Sequence, residues 1–108
     1  MAEIGEIDPR TLKDRLERGD GLVILDVREP EEVGIARFPG AVHIPMGDIP
    51  SRMVEIDPES EIVVVCHHGI RSAQVAAYLV RMEFERVWNL AGGIDAWSVT
   101  VDPAVPRY

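Results

Sequence analysis

Cysteine is nearly missing from this chain: Cys66 is the only one among 108 residues. A single thiol excludes an intramolecular disulfide framework and leaves no resolving partner. Any sulfur chemistry at Cys66 must therefore be completed by an outside molecule. Positive charge is also scarce. Eleven Lys and Arg face 19 Asp and Glu, for a net charge of −8. That balance argues against nucleic acid or an anionic membrane as a general partner. An anionic small substrate would need local cations to overcome the overall field. No apolar run approaches the roughly 18 residues of a membrane span. The acidic start, Met1 to Asp8, lacks the basic and apolar regions of a signal peptide. The expectation is a cytoplasmic protein.

What is present suits one domain, residues 1–108. Hydrophobic residues make up 46% of the chain, enough for a core without staples. No repeat, low-complexity tract or linker divides it. Ile4 to Ile7 reads as a short strand. Asp8-Pro9 reads as an N-cap with proline in the first turn, opening a helix that runs to Arg18 and stops at Gly19. Leu22 to Asp26 and Glu61 to Val65 are continuous apolar runs, the pattern of buried parallel strands. Between them, Glu29 to Val33 predicts one helical turn, Ala41 to Ile44 a short strand, Pro45 to Pro50 a loop and Ser51 to Ile56 a short helix. After Arg71 a helix carries a narrow polar stripe of Gln74, Tyr78, Arg81 and Glu85. Val87 to Leu90 is a further strand. Gly92-Gly93 turns into Ile94 to Trp97, and a tail from Ser98 drapes over the surface. Alternating strands and helices predict an α/β domain with a mostly parallel sheet. Sites in such sheets form at the carboxyl ends of the strands, where Asp26 and Cys66 both fall.

Cys66 sits between the most strand-like run and the best helix. Backbone N–H groups and the helix dipole converge there, a setting that stabilises anions and activates thiols. Gly69 permits a turn that other residues resist. The N–H groups from His67 to Ser72 are placed to form an anion-binding nest around the sulfur. The plainer alternative is a small hydrophobe at a strand end; the loop with Gly69 and Arg71 favours function.

Three motifs carry a family resemblance. Leu25-Asp26-Val27-Arg28-Glu29-Pro30-Glu31-Glu32 is followed by Phe38-Pro39-Gly40-Ala41-Val42-His43-Ile44-Pro45. Cys66 to Arg71 forms a six-residue loop. Leu90-Ala91-Gly92-Gly93-Ile94-Asp95-Ala96-Trp97 comes last. In order and spacing the chain resembles a single-domain rhodanese, a sulfurtransferase. The resemblance implies a three-layer domain with a central, mostly parallel five-stranded sheet flanked by helices. It implies a persulfide cycle without cofactor or metal. Cys66 would take the outer sulfur of an anionic donor such as thiosulfate. Cyanide, a thiol, or a thioredoxin-like or other protein would accept it. His67, His68, Gly69, Ile70, Arg71 and Ser72 would form the binding loop.

Within that loop, Arg71 is read as a forked clamp on the donor's oxyanion end. Ser72 either adds a hydroxyl donor or helps cap the helix. His67 and His68 polarise the donor, shuttle a proton or line the pocket mouth, one pointing in and the other out. Adjacent Cys-His-His lacks the usual spacing of metal ligands. Asp26 and Arg28 are read first as a structural ion pair shaping the rim. Trp88 and Trp97 are read as packing residues. Two positions depart from the family pattern: Arg37 replaces a usual histidine, and His43 stands where asparagine is common, read as a hydrogen-bonded strand histidine. Two rival functions follow from the same residues. One is a cysteine phosphatase or arsenate reductase, which the short loop and the absence of a histidine before Cys66 disfavour. The other is a non-catalytic module or a protein-to-protein sulfur carrier.

Overall fold

The computed structural model describes residues 4–108; Met1 to Glu3, within the one-domain span read above, lie outside the described residues. The chain runs β1 (Gly5–Ile7), α1 (Pro9–Glu17), β2 (Val23–Asp26), α2 (Pro30–Ile35), β3 (Val42–His43), α3 (Ile49–Arg52), β4 (Glu61–Val65), α4 (Ile70–Arg81), β5 (Arg86–Leu90) and α5 (Gly93–Thr100). The five strands form one sheet in the order β1-β5-β4-β2-β3, and every pairing is parallel. All carboxyl ends therefore share one edge. No helix among the described residues is long and apolar enough to cross a membrane.

β4 explains why its sequence is apolar throughout. Ile62, Val64 and Cys66 pack with Val75, Ala76 and Leu79 of α4 and Ile49 of α3. Val63 and Val65 pack on the opposite face, with Leu12 of α1 and Ile94 and Trp97 of α5. A strand covered on both faces has no solvent side to make polar. These two clusters make the domain three layers deep.

α1 starts as expected. The Asp8 carboxylate accepts the Thr11 N–H at 2.9 Å, and Pro9 occupies the first turn. Four local expectations need correction. α2 extends to Ile35 rather than ending after one turn. The predicted loop before Pro50 is helical: a 3₁₀ turn at Met46–Asp48 leads into α3, and a second follows at Met53–Glu55. Pro50 lies in the first turn of α3, where its missing N–H has no intrahelical acceptor to lose, so it opens the helix instead of breaking it. α4 ends at Arg81, which leaves Glu85 off the polar stripe. α5 takes in Ser98 to Thr100, so the tail begins later than expected. Trp97 is buried against Phe38, with ring centroids 4.8 Å apart, and Trp88 donates its indole N–H to Glu61 at 2.7 Å. Both tryptophans are packing residues, as read from the sequence.

Candidate active site

β4 carries Cys66 to the carboxyl edge of the sheet, and Gly69 caps α4 with φ +99°. Cys66 is only 1% exposed. The Gly69 N–H donates to Sγ at 3.1 Å, and the Ser72 hydroxyl lies 3.3 Å from it. The N–H groups of Ile70, Arg71 and Ser72 open α4 and have no intrahelical acceptor. Of the expected nest, one direct backbone bond to the sulfur is present, from the Gly69 N–H. Ile70 contributes backbone only; its side chain is exposed.

Ser72 lies beside the sulfur and not at the helix cap. It is fully buried, and Gly69 holds the cap position. Its hydroxyl also bonds the Asn89 Oδ1, and Asn89 in turn donates its Nδ2 to the Gly69 carbonyl at 3.1 Å. A hydroxyl has one proton and two lone pairs. Donating to Asn89, it accepts the thiol S–H; turned to a thiolate, it donates to sulfur. The same side chain thus satisfies both protonation states of Cys66.

α5 pins the loop from below. Ile94 N–H donates to the Cys66 carbonyl at 2.9 Å, and Asp95 N–H to that of His67 at 3.1 Å. This approach requires Gly93, whose φ is +63°. A Cβ there would stand 2.6 Å from the Cys66 carbonyl oxygen and nearer still to that of His67. Both obstacles are backbone, so the loop itself would have to move. Gly93→Ala is expected to lower turnover by on the order of 100-fold through displacement of the sulfur. Steady-state kinetics of the purified variant check this; wild-type turnover would show that the loop tolerates the shift.

The histidines divide as expected, His67 half-buried and His68 exposed. His67 is sandwiched between the rings of His68 and Tyr108, each at 3.9 Å. Its Nε2 is buried and has no hydrogen-bond partner among the described residues. His67, His68 and Asp95 bring ligand atoms within 4.8 Å of one another. Arg107 already grips Asp95 at 2.8 and 3.2 Å.

Arg71 is already engaged. It forms a bidentate pair with Glu32 at 2.6 and 2.8 Å. Glu32 belongs to the first turn of α2, where it also accepts the Glu29 N–H at 3.1 Å. Tyr108 donates its hydroxyl to the same carboxylate at 2.8 Å. Arg71 foremost holds the Glu32 carboxyl down near 2, against an opposing effect of burial. Glu32 in turn raises the Arg71 guanidinium above its ordinary value. Burial pushes the Tyr108 phenol up to about 12, so it keeps its proton for Glu32.

Asp26 and Arg28 form the expected ion pair, fully inside the protein. Arg28 is 0% and Asp26 1% exposed. The guanidinium bonds Asp26 at 2.7 and 3.0 Å, the Ala36 carbonyl at 2.6 Å and the Tyr108 hydroxyl at 2.9 Å. These contacts join the end of β2 to α2 and to the tail, and none reaches Cys66. His43 is hydrogen-bonded as expected, its Nε2 lying 2.7 Å from the Arg28 carbonyl oxygen. Arg37 is a surface residue.

The family model for the rhodanese-like domain matches residues 8–100. The chain belongs to the rhodanese-like family. YtwF of Bacillus subtilis is 44% identical over 101 residues, covering 94% of this chain and 97% of YtwF. A sulfurtransferase of Allochromatium vinosum is 40% identical, covering 88% of this chain and 89% of its own. The crystal structure of a rhodanese-like domain protein from Staphylococcus aureus superimposes with a TM-score of 0.84 at 30% identity, over 97% and 99% of the two chains.

Within this rhodanese-like domain, sequence reasoning missed Glu32, Asn89, Gly93 and Tyr108 as site residues. Glu32 carried a faint signal, a glutamate three residues after Glu29 at the start of a helix. Asn89 was the one polar residue in the apolar run Val87 to Leu90. Tyr108 carried none, because its partners lie 76 and 80 positions away in the chain.

Proposed function

We propose that this domain transfers sulfane sulfur from a small donor to a nucleophilic acceptor through a persulfide on Cys66. The observation that carries this reading is the sulfur itself: buried at a strand end, met by the Gly69 N–H and the Ser72 hydroxyl in a loop built around one atom. Cys66 thiolate attacks the outer sulfur of thiosulfate, the S–S bond breaks, and sulfite leaves with the electron pair. The loop donors then face the negative charge of the new persulfide. Cyanide or a thiol attacks its outer sulfur and restores the Cys66 thiolate, as in thiol–disulfide exchange. With no second cysteine, that acceptor comes from outside, a small thiol or a thioredoxin-like protein among them.

The sulfurtransferase name of the Allochromatium vinosum relative supports the reading. The short loop supports it against phosphatase chemistry, since four residues between Cys66 and Arg71 leave little space for a phosphoryl group. Thiocyanate formation from thiosulfate and cyanide tests the proposal, with an aryl phosphate run in parallel. Thiocyanate turnover with no phosphate release is expected. Phosphate release without thiocyanate would reverse the assignment. Stoichiometric sulfur loading with negligible small-donor turnover would make the domain a carrier between proteins.

A further inference from the structure

A sulfurtransferase that uses thiosulfate must neutralise a sulfonate beside its reactive sulfur. In this chain the cation at hand for that task is already neutralised. Both forks of Arg71 are on Glu32 at 2.6 and 2.8 Å. Nor is Glu32 free to swing away. The Glu29 N–H holds Oε1, and the Tyr108 hydroxyl holds Oε2. The ring of Tyr108 is fixed in turn by stacking on His67, and its hydroxyl by Arg28. Two neighbouring arginines are spent as well: Arg28 on Asp26 and Arg107 on Asp95. The overall charge of −8 adds repulsion for a dianion.

We infer that Glu32 is a donor-selecting residue: it competes with oxyanion donors for Arg71, so the site favours persulfide donors, whose leaving group is a thiolate. The inference rests on the persulfide role of Cys66 proposed above. With glutathione persulfide, Cys66 thiolate attacks the terminal sulfur, the S–S bond breaks, and glutathione thiolate departs. The product is Cys66–S–SH, charge is conserved, and no sulfonate has to be accommodated. With thiosulfate the same attack expels sulfite, and the three oxygens gain a forked partner only if Arg71 leaves Glu32. Because Arg71 holds the Glu32 carboxyl near 2, ordinary assay pH does not relieve the competition.

The test compares the two donors, with cyanide as common acceptor, in the full chain and in Glu32→Gln. The wild type is expected to have the higher kcat/KM with glutathione persulfide. In Glu32→Gln the ratio of thiosulfate to persulfide kcat/KM should rise roughly three- to tenfold, the range for a partly exposed charge pair. The rise should sit in the thiosulfate KM, and the inhibition constant of sulfite should fall in step. Tyr108→Phe keeps the ring on His67 but frees one Glu32 oxygen. It should move the ratio in the same direction by less, and it keeps the question answerable if Glu32→Gln fails to fold. An unchanged or falling ratio in a variant that still turns over persulfide would overturn the selection by Glu32 alone. A wild type that takes sulfur from neither donor would overturn the Cys66 reading, and this inference with it.

Discussion

Cys66→Ser loses all sulfur transfer above the uncatalysed background, with thiosulfate and with persulfide donors alike. The hydroxyl is too weak an acid to present an anion to a sulfane sulfur at neutral pH, and no other thiol in the chain can substitute. The loss is chemical rather than structural. The replacement is nearly the same size, and the Gly69 N–H and Ser72 hydroxyl stand ready as its hydrogen-bond partners. Burying one more hydroxyl in this cluster costs about 1–2 kcal/mol when it is so partnered. The variant therefore folds, and thiocyanate release measured beside a thermal melt separates the two effects. Wild-type transfer by a folded Cys66→Ser protein would remove the cysteine from the mechanism.

The second large effect is on stability. Asp26→Ala leaves the Arg28 guanidinium buried without its counter-charge. Breaking a buried pair in this way costs roughly 3–5 kcal/mol. In a domain of this size each kcal/mol lowers Tm by about 4–8 °C, so the melting point should fall by at least about 12 °C. The remaining partners of Arg28, the Ala36 and Glu32 carbonyls and the Tyr108 hydroxyl, are neutral and cannot replace the carboxylate. Combining Asp26→Leu with Arg28→Met should recover part of the loss by removing the stranded charge. Recovery stays partial, because the Ala36 carbonyl then lacks its donor. A change of Tm below about 2 °C in Asp26→Ala would show that the pair does not hold the rim.

The division between what the sequence disclosed and what it hid follows the range of the interactions. Glu61 to Val65 reads as a doubly covered strand because burial on both faces removes every polar choice. Asp8-Pro9 reads as a helix start because a cap is made within three residues. The region around Pro50 misled because proline marks both the break of one element and the first turn of the next. In the site, Cys66, Gly69 and Arg71 are contiguous and were legible together. The state of Arg71 was not. Its partner Glu32 lies 39 residues away, and the strap that fixes Glu32 comes from Tyr108, at the far end of the chain. An arginine beside a reactive cysteine suggests an anion clamp. Whether the clamp is open depends on a carboxylate that only folding brings to it.

Everything proposed for this site depends on Cys66 carrying the sulfur in transit. Intact-mass measurement of the protein after exposure to glutathione persulfide, and separately to thiosulfate, tests it most directly. The wild-type protein should gain one sulfur atom, placed on Cys66 by fragmentation, lost on addition of cyanide and never formed in Cys66→Ser. An unmodified wild-type mass with both donors, or an added sulfur on any other residue, would contradict it.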